Sequence, residues 1–415
     1  MMKILKLSPY CDPEQVSSSY LTNDLNESFV TAGFTIENYV PTPTRGISKE
    51  VRDKYKKRKY ELQYEDKLII HRFSMFEEGK NPIQRALRYV LINIIQYIKG
   101  IRAKDIDVIF SGSTPPTQGL PCGLVKKRLK VPFVYNLQDI FPDSLVNSGM
   151  THKGSIIWKI GRKIENFTYY NADKIIVISD DFKRNIIEKG VTEDKIVVIP
   201  NWVNTDNVYP VDREKNILFA RYNLNRSKFY ICYSGNIGHS QNLDLLIDVA
   251  EIIKVNCPDI IFLIIGDGAA KNQFQEQIEI KKLDNIIMLP FQPYEDIAYV
   301  FSLGDVGLII SKPGIGGSSV PSKAWNIMAA KKPILASFDI GSNLCQLIHE
   351  GKFGYCVSPN DKTGFINAIT ELHSDLKRRE EMGLNGLNYI KTYCNKERCV
   401  NSYVKTILNI RSIDD

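Results

Sequence analysis

A glycine-rich loop near the centre of the second half of the chain leads directly into a short helical segment. This stretch, residues 311–337, places Gly316 and Gly317 ahead of Pro321 and Lys323. Glycine lets a backbone approach a ligand closely, and proline suits the first turn of a helix. Such a loop offers unpaired amides to an anion, and Lys323 would add a positive charge. The pattern predicts a phosphate site, or else an ordinary loop and a buried helix of an α/β fold.

Asp139 is a second candidate for chemistry. It follows an apolar segment, residues 131–136, that has the composition of a buried strand. Ligands of open α/β sheets gather at the carboxyl ends of the strands, which makes Asp139 a substrate-site candidate. A lone aspartate after a strand also serves as a turn or helix cap, so both interpretations stay open.

These residues must be positioned by strands and helices that alternate along the chain. Strand-like segments, turns and helical segments follow one another in both halves, which predicts α/β domains with parallel sheets. The 415 residues suffice for two domains of roughly 200 residues each. We place the first domain at residues 1–205, the second at 206–385, and a C-terminal helical segment at 386–415 that packs back on the first domain. Residues 41–66 break the rhythm and are interpreted as a long, mobile, basic loop.

Composition narrows the class of protein. The N-terminus runs into a strand-like segment without a signal peptide, and no apolar run approaches the 18–20 residues or so of a spanning helix. We therefore expect a cytoplasmic protein. The eight cysteines are scattered and include no CxxC pair, so we expect reduced thiols and no disulfide framework. The five histidines are isolated, and we expect no protein-bound metal and no cofactor.

Basic residues are concentrated in the first domain, although the whole chain carries a net charge of only +7. Residues 45–59 form one basic run, which includes Lys56 and Lys57. Residues 81–102 predict a helix with apolar residues at helical spacing, flanked by Arg85 and Arg88. Such a helix lies on an anionic membrane surface or packs on the sheet. Nucleic acid is not expected as a partner, because the basic residues lack interleaved aromatic platforms.

The order of motifs resembles that of a known family. The segments that carry the resemblance are PEQVSSSYLTNDL, PTPTRGISKEVR, QDIFPDSL, VVIPNWVNTD, SGNIGHSQNLDLLI, IIGDG and VPSK followed by MAAKKPI. Taken in this order, they resemble the bacterial family 4 glycosyltransferases, and most closely the capsule and O-antigen branch that includes L-fucosamine transferases. The resemblance implies retaining enzymes of the GT-B fold, in which two Rossmann-like domains face a central cleft. It further implies a nucleotide sugar in the second domain, an acceptor in the first, and no metal.

The resemblance also implies roles for individual residues. Lys323, Asp139 and Ser318 match catalytic positions. Donor contacts are implied for Glu14, Ser17, Gly235, Asn236, Gln241, Asp267, Gly268, Phe291, Gln292, Gly316, Gly317, Ser319, Val320 and Asn326. Arg85, Arg88, Lys56 and Lys57 would face the membrane or the acceptor.

This sequence departs from the family pattern at several of these positions. Family members usually carry two glutamates, eight residues apart, where this chain has Ser318 and Asn326. Asn326 could still bond a ribose, but without the charge that makes such a bond roughly twice as strong. Gln241 replaces a basic residue that is common in its loop, and Gln138 replaces a histidine before Asp139.

The function expected from the sequence is transfer of a sugar from a nucleoside-diphosphate sugar, UDP-linked by expectation, to a lipid-diphosphate-linked sugar. The acceptor places the enzyme peripherally on the cytoplasmic face of the inner membrane, in O-antigen, lipopolysaccharide or capsule synthesis. Two alternatives stay open. One is a sugar-nucleotide 2-epimerase of the same fold, and the other is a non-catalytic sugar-nucleotide-binding subunit.

Overall fold

The computed structural model describes residues 2–14, 19–79, 81–147, 149–316 and 321–411. Two compact units divide the chain. The first comprises Met1–Pro200 together with Glu397–Asp415, and the second comprises Asn201–Lys396. Each unit is a sheet of mainly parallel strands covered by helices, so the predicted α/β class with two Rossmann-like domains is confirmed.

The first unit contains an eight-stranded sheet. Its strands are β1 (Lys3–Leu7), β2 (Thr35–Pro41), β3 (Tyr60–Gln63), β4 (Leu68–Phe73), β5 (Val108–Gly112), β6 (Phe133–Leu137), β7 (Lys174–Val177) and β8 (Ile196–Val198). They lie in the order β3-β4-β2-β1-β5-β6-β7-β8, and only the edge strand β3 is antiparallel to its neighbour. Its helices are α1 (Ser19–Thr31), α2 (Lys49–Lys57), α3 (Pro82–Gly100), α4 (Gly119–Leu129), α5 (Asp143–Asn147), α6 (Ile156–Asn171) and α7 (Asp180–Glu188).

The second unit contains a six-stranded parallel sheet in the order β11-β10-β9-β12-β13-β14. Its strands are β9 (Phe229–Asn236), β10 (Ile260–Asp267), β11 (Ile286–Leu289), β12 (Val306–Ile310), β13 (Ile334–Ser337) and β14 (Gly354–Val357). Its helices are α8 (Ile217–Arg221), α9 (Leu243–Asn256), α10 (Lys271–Ile280), α11 (Ile297–Ser302), α12 (Lys323–Ala329), α13 (Asn343–Glu350), α14 (Lys362–Ser374) and α15 (Leu376–Tyr393). The last helix, α16 (Lys396–Arg411), belongs to the first unit from Glu397 onward.

Strand β10 shows why the second sheet forms. Its apolar residues are buried on both faces of the sheet. Phe262 and Ile264 pack in one cluster with helix α9, while Leu263 and Ile265 pack in another with Leu218 of α8. A strand that is covered on both faces needs an uninterrupted apolar run, which is the pattern that predicted it.

Two expectations about the chain are wrong. Residues 41–66 are not one long loop, because they contain helix α2, where Ser48 caps the helix by accepting from the Val51 amide, and strand β3. The thiols are not all separate either, since Cys345 and Cys356 are joined in a disulfide with Cα atoms 5.5 Å apart. Strand β3 pairs with β4 and Cys345 pairs with Cys356, and both partners lie outside a local sequence pattern, whereas the Ser48 cap of α2 is a local signal.

Candidate functional site

The carboxyl ends of strands β9 and β10 bring two glycine-containing loops together in the second unit. Gly235 and Asn236 pair in register with Gly266 and Asp267. Gly266 has φ +158°, and a Cβ atom at this position would lie 1.9 Å from the Gly235 carbonyl oxygen. Only glycine fits such a close approach. The two loops therefore lie directly against each other at this edge of the sheet.

Lys323 opens helix α12 and points its ammonium at this edge. Its Nζ atom lies 3.6 Å from the centre of the Tyr233 ring. It also lies beside Gly235, since a Cβ atom added to that glycine would be 3.1 Å from Nζ. Burial lowers the pKa of Lys323 to about 7. Among the residues that the structure describes, no carboxylate forms an ion pair with it. A ligand phosphate would supply the missing anion.

The loop after Gly235 is held by its own side chains. Gln241 accepts a hydrogen bond from the Gly238 amide through Oε1 at 2.9 Å, and the Tyr233 hydroxyl donates to the Asn236 carbonyl at 2.6 Å. The Ser240 carbonyl accepts from the Lys312 amide at 2.8 Å. Gln241 therefore shapes this loop and ties up one of the amides that an anion could bind.

The predicted wall of the nucleotide site divides into exposed and buried parts. Asp267 is exposed and accepts from the Gly268 amide at 2.8 Å, and the Phe291 ring is 72% exposed just beyond strand β11. Gln292 is buried instead. Its amide donates to the Tyr222 hydroxyl at 2.7 Å and its oxygen accepts from Arg221 at 3.2 Å. The exposed Phe291 ring, and not the Gln292 side chain, is thus the group available to stack on a base.

Asp339, which the sequence did not single out, organises the glycine-rich loop after strand β12, residues 311–316 (the opening glycine loop). Its carboxylate accepts from the Gly314 amide at 3.0 Å and from the Gly316 amide at 2.7 Å. The Gly316 amide is thus already paired within the protein. In the sequence, the location of Asp339 just after strand β13 was the only signal that could have indicated this role. Gly317, Ser318, Ser319 and Val320 lie outside the described residues.

Helix α12 places Asn326 one turn after Lys323. Ala324, Trp325, Ile327 and Met328 are buried on the other side of this helix, which leaves these two polar residues partly exposed on one face. Residues three apart on a helix are neighbours on its surface. Asn326 can therefore act on the same ligand as Lys323.

In the first unit, the loops after strands β5 and β6 are joined around Asp139. The Ser113 hydroxyl accepts from the Gln138 amide at 2.9 Å and from the Asp139 amide at 3.3 Å. Desolvation by the surrounding protein raises the pKa of Asp139, while hydrogen bonds from the Ser144 side chain and the Ile140 backbone oppose this change. The residue is solvent-exposed overall, so its carboxyl is accessible to a substrate.

Glu14 is buried, which the resemblance did not indicate. Its carboxylate accepts from the amides of Thr44 at 2.7 Å, Arg45 at 3.0 Å and Cys11 at 3.4 Å. Burial raises the pKa of Glu14, and these amides counteract that effect. We therefore interpret Glu14 as the anchor of the loop after strand β2. Ser17 lies outside the described residues.

A polar cluster that sequence reasoning missed lies beside this loop. The Tyr10 hydroxyl donates to Glu78 at 2.8 Å and lies 2.9 Å from the Tyr89 hydroxyl, and Arg85 pairs with Glu78 at 3.1 Å. Arg45 is exposed and lies over the Tyr10 ring at 5.6 Å. The cluster joins loops from three parts of the chain, which no local spacing reveals.

Arg88 is not a surface residue, so its predicted contact with the membrane or acceptor is wrong. It is fully buried, and its guanidinium donates to the Phe76 carbonyl and to Thr44 Oγ1. Lys56 and Lys57 are exposed on helix α2, and Arg85 is partly exposed.

Helix α3 buries Arg88, Asn93 and Gln96 together with the apolar Ile92, and it leaves most of its large apolar side chains facing outward. Gln96 is buried, donates to the carbonyls of Ser8 and Tyr39, and accepts from Gln118. The large apolar side chains exposed on this helix are Ile83, Leu87, Val90, Leu91, Ile94 and Ile98. Within the described part of the chain, no helix is long and apolar enough to cross a membrane. No group of three or more His, Cys, Asp and Glu side chains in that part could hold a metal ion.

Comparisons with known proteins now identify the family. The model of Glycosyltransferase Family 4 matches residues 46–207, and that of glycosyl transferases group 1 matches residues 214–389. The chain is 29% identical over 271 residues to the probable glycosyltransferase WbjE of Pseudomonas aeruginosa, covering 65% of this chain and 67% of that protein. It is 24% identical over 252 residues to an Escherichia coli UDP-Gal:alpha-D-GlcNAc-diphosphoundecaprenol alpha-1,3-galactosyltransferase, covering 58% of this chain and 60% of that protein.

A solved structure shows the same fold. Anabaena HepE in complex with UDP superposes with a TM-score of 0.73 at 15% identity, covering 98% of this chain and 100% of that one. The two matched segments follow each other along most of the chain, the first lying mostly in the first unit and the second inside the second unit. The resemblance is confirmed: this chain belongs to the family 4 glycosyltransferases of the GT-B fold.

Proposed function

We propose that this chain transfers a sugar, with retention of configuration, from a UDP-linked sugar to a lipid-diphosphate-linked sugar in surface polysaccharide synthesis. The observation that carries the proposal is the ammonium of Lys323, which packs on the Tyr233 ring beside Gly235 and has no carboxylate partner among the described residues. A donor diphosphate fits this charge. The activity of the Escherichia coli galactosyltransferase and the UDP bound to HepE support the choice of donor nucleotide and acceptor class.

On the donor side, the second unit supplies charge and shape. The exposed Phe291 ring would stack on the base, and Asn326 would bond the ribose from the same helix face as Lys323. As the bond between the anomeric carbon and the diphosphate breaks, negative charge grows on the leaving oxygen. Lys323 would stabilise that charge in a partly buried site, where electrostatic interactions are stronger than in water. We propose that it does so in place of a metal ion.

On the acceptor side, the first unit supplies Asp139 and the basic residues of its loops. Asp139 would bind the hydroxyl that attacks the sugar, and that proton would pass to the leaving phosphate oxygen. Arg45 and Arg85 lie at the rim of the Tyr10–Glu78 cluster and would contact the acceptor diphosphate. Guanidinium groups suit this task because they bind phosphate oxygens bidentately.

We further propose that helix α3 holds the enzyme on the cytoplasmic face of the membrane. Its apolar side chains face outward although water would favour the opposite orientation, and Ile83 is 80% exposed. Helix α4 packs against α3 through Gly100 and Val125, and α6 packs against α4 through Gly123 and Phe167. On α6, Ile156 and Ile157 are likewise exposed.

The same three helices also carry lysines: Lys99 lies on α3, Lys127 on α4, and Lys159 and Lys163 on α6. Helices that expose apolar side chains and also carry cations fit the headgroup region of an anionic bilayer, because the apolar atoms would leave water while the lysines would pair with lipid phosphates.

The test is a mass-spectrometric screen of UDP-sugars against a synthetic lipid-diphosphate sugar. The proposal expects UDP release and a lengthened acceptor only when both substrates are present. A changed sugar nucleotide in the absence of acceptor would instead establish an epimerase. Donor binding without turnover on any acceptor would establish a binding subunit, the alternative that the missing glutamates at Ser318 and Asn326 motivate.

A further inference from the structure

The two cysteines that are paired in the second unit lie beside the turn that holds the opening glycine loop. Cys345 lies in the first turn of α13 and Cys356 lies in strand β14. Both sulfur atoms are close to the carbonyl oxygen of Phe338, at 3.8 and 3.9 Å. Their Cα separation of 5.5 Å is the usual one for a disulfide.

The turn that starts at Phe338 connects this pair to the glycine loop. Asp339 follows Phe338 and accepts from the amides of Gly314 and Gly316. Ser342 closes the turn, donates its amide to the Asp339 carbonyl at 3.0 Å, and caps α13 by accepting from the Cys345 amide. Gly316 packs so closely on this turn that a Cβ would lie 2.9 Å from Ser342 Cβ.

We propose that Cys345 and Cys356 form a reversible thiol–disulfide modification site whose co-reactant is a low-molecular-weight disulfide. The oxidised state ties α13 to β14 and thereby fixes the turn from Phe338 to Ser342, which holds the glycine loop through Asp339. Reduction removes the covalent tie and loosens the loop. The effect on donor binding rests on the proposed function, whereas the effect on the loop does not.

The chemistry is a two-step exchange. Cys356 is partly exposed and Cys345 is buried, so the Cys356 thiolate attacks the small disulfide first and expels one half of it as a thiolate. The Cys345 thiolate then attacks the Cys356 sulfur and releases the second half. Two protein thiols are oxidised, one small disulfide is reduced to two thiols, and the two protons go to those thiols.

The experiment uses the full chain equilibrated in glutathione buffers of increasing oxidised fraction. Alkylation and intact mass should show that two thiols become protected together, and peptide mapping should assign them to Cys345 and Cys356. Hydrogen exchange at the Gly314 and Gly316 amides should be slower in the oxidised form, by about tenfold if the tie contributes a local stability typical of a loop restraint. Equal exchange in the two forms, or failure of these two thiols to pair, overturns the proposal.

Variants and kinetics complete the test. The double variant Cys345→Ser/Cys356→Ser should exchange like the reduced wild type in every buffer, while Cys257→Ser should respond like the wild type. Reduction should raise the donor KM several-fold and leave kcat nearly unchanged, because a preorganised loop lowers the cost of binding. An active enzyme whose donor KM ignores the redox state overturns the link to donor binding. Absence of any transfer in both states counts against the proposed function and leaves the thiol and exchange results as they stand.

Discussion

Replacing Lys323 by methionine tests two consequences of its unpaired ammonium, one for turnover and one for the stability of the fold. Methionine keeps the apolar volume beside Tyr233 and removes the charge that would face the donor diphosphate. Loss of one electrostatic contact to a leaving group costs about 10²–10³ in kcat, or roughly 2.7–4 kcal/mol. We expect Lys323→Met to lower turnover by that factor, measured with the donor and acceptor that the mass-spectrometric screen identifies.

The same change should stabilise the fold. A lysine pKa lowered from 10.5 to about 7 means that the charged form is destabilised in the native state by a free energy on the order of 5 kcal/mol. Between about pH 7 and pH 10.5 the unfolded chain binds a proton that the native lysine has released, so wild-type stability rises with pH in this window. The variant lacks this dependence. The free energy of unfolding of Lys323→Met should exceed that of the wild type by an amount on the order of 5 kcal/mol at pH 7 and by roughly 2 kcal/mol at pH 9.

Denaturant unfolding at pH 7 and pH 9, together with initial rates across the same range, measures both effects. Wild-type kcat/KM for the donor should fall as pH rises above about 7, because the free enzyme loses the ammonium. Lys377→Met, at an exposed lysine on α15, should change neither property. Wild-type turnover in Lys323→Met refutes the catalytic role. A variant no more stable than wild type at pH 7 refutes the reasoning that desolvation of an unpaired ammonium destabilises the fold.

Three further predictions concern the surface of α3, the Gly235 turn and the neighbour of Lys323. Leu87→Asp should weaken binding to vesicles containing anionic lipid by about tenfold or more in a flotation assay, since burying one leucine contributes about 1.5–3 kcal/mol. The control Val255→Asp, at an exposed valine of α9, should leave vesicle binding unchanged. Gly235→Ala should raise the donor KM and lower the melting temperature, because a methyl group at φ +143° would stand 3.1 Å from the Lys323 ammonium; an unchanged KM contradicts this. Asn326→Glu should raise the pKa of Lys323 and move the pH profile of kcat/KM upward, and a profile that stays in place would show that these side chains do not interact.

The alternation of strands and helices was predictable because it depends on local periodicity and on buried parallel strands. Strand β10 illustrates this, since its apolar run is sufficient to indicate burial on both faces. The bounds of α3 were predictable too, because Asn81 caps the helix by accepting from the amides of Ile83 and Gln84. Local signals of this kind carry no information about distant partners.

The orientation of α3 could not be predicted for that reason. Its spacing defines an apolar and a polar side, and either could face the sheet. The buried face combines Ile92 with three polar residues, of which Gln96 finds carbonyl partners at Ser8 and Tyr39, far away in the sequence. Arg88 was misplaced by the same limitation. Its partner Thr44 is 44 residues away, and a flanking arginine on an amphipathic helix looks like a surface charge until that partner is known.

The departures from the family pattern become interpretable once Lys323 and Asn326 are placed on one face of α12. A glutamate at position 326 would stand three residues from Lys323, where an ion pair would keep the lysine charged. With asparagine there, the ammonium has no carboxylate partner in the described part of the chain, and its pKa is lowered to about 7. Under the proposed function, the donor diphosphate would provide the countercharge itself, so donor binding and protonation of Lys323 would be coupled. Such a site would be charged most fully when the donor is bound, which would concentrate its electrostatic stabilisation on the leaving group.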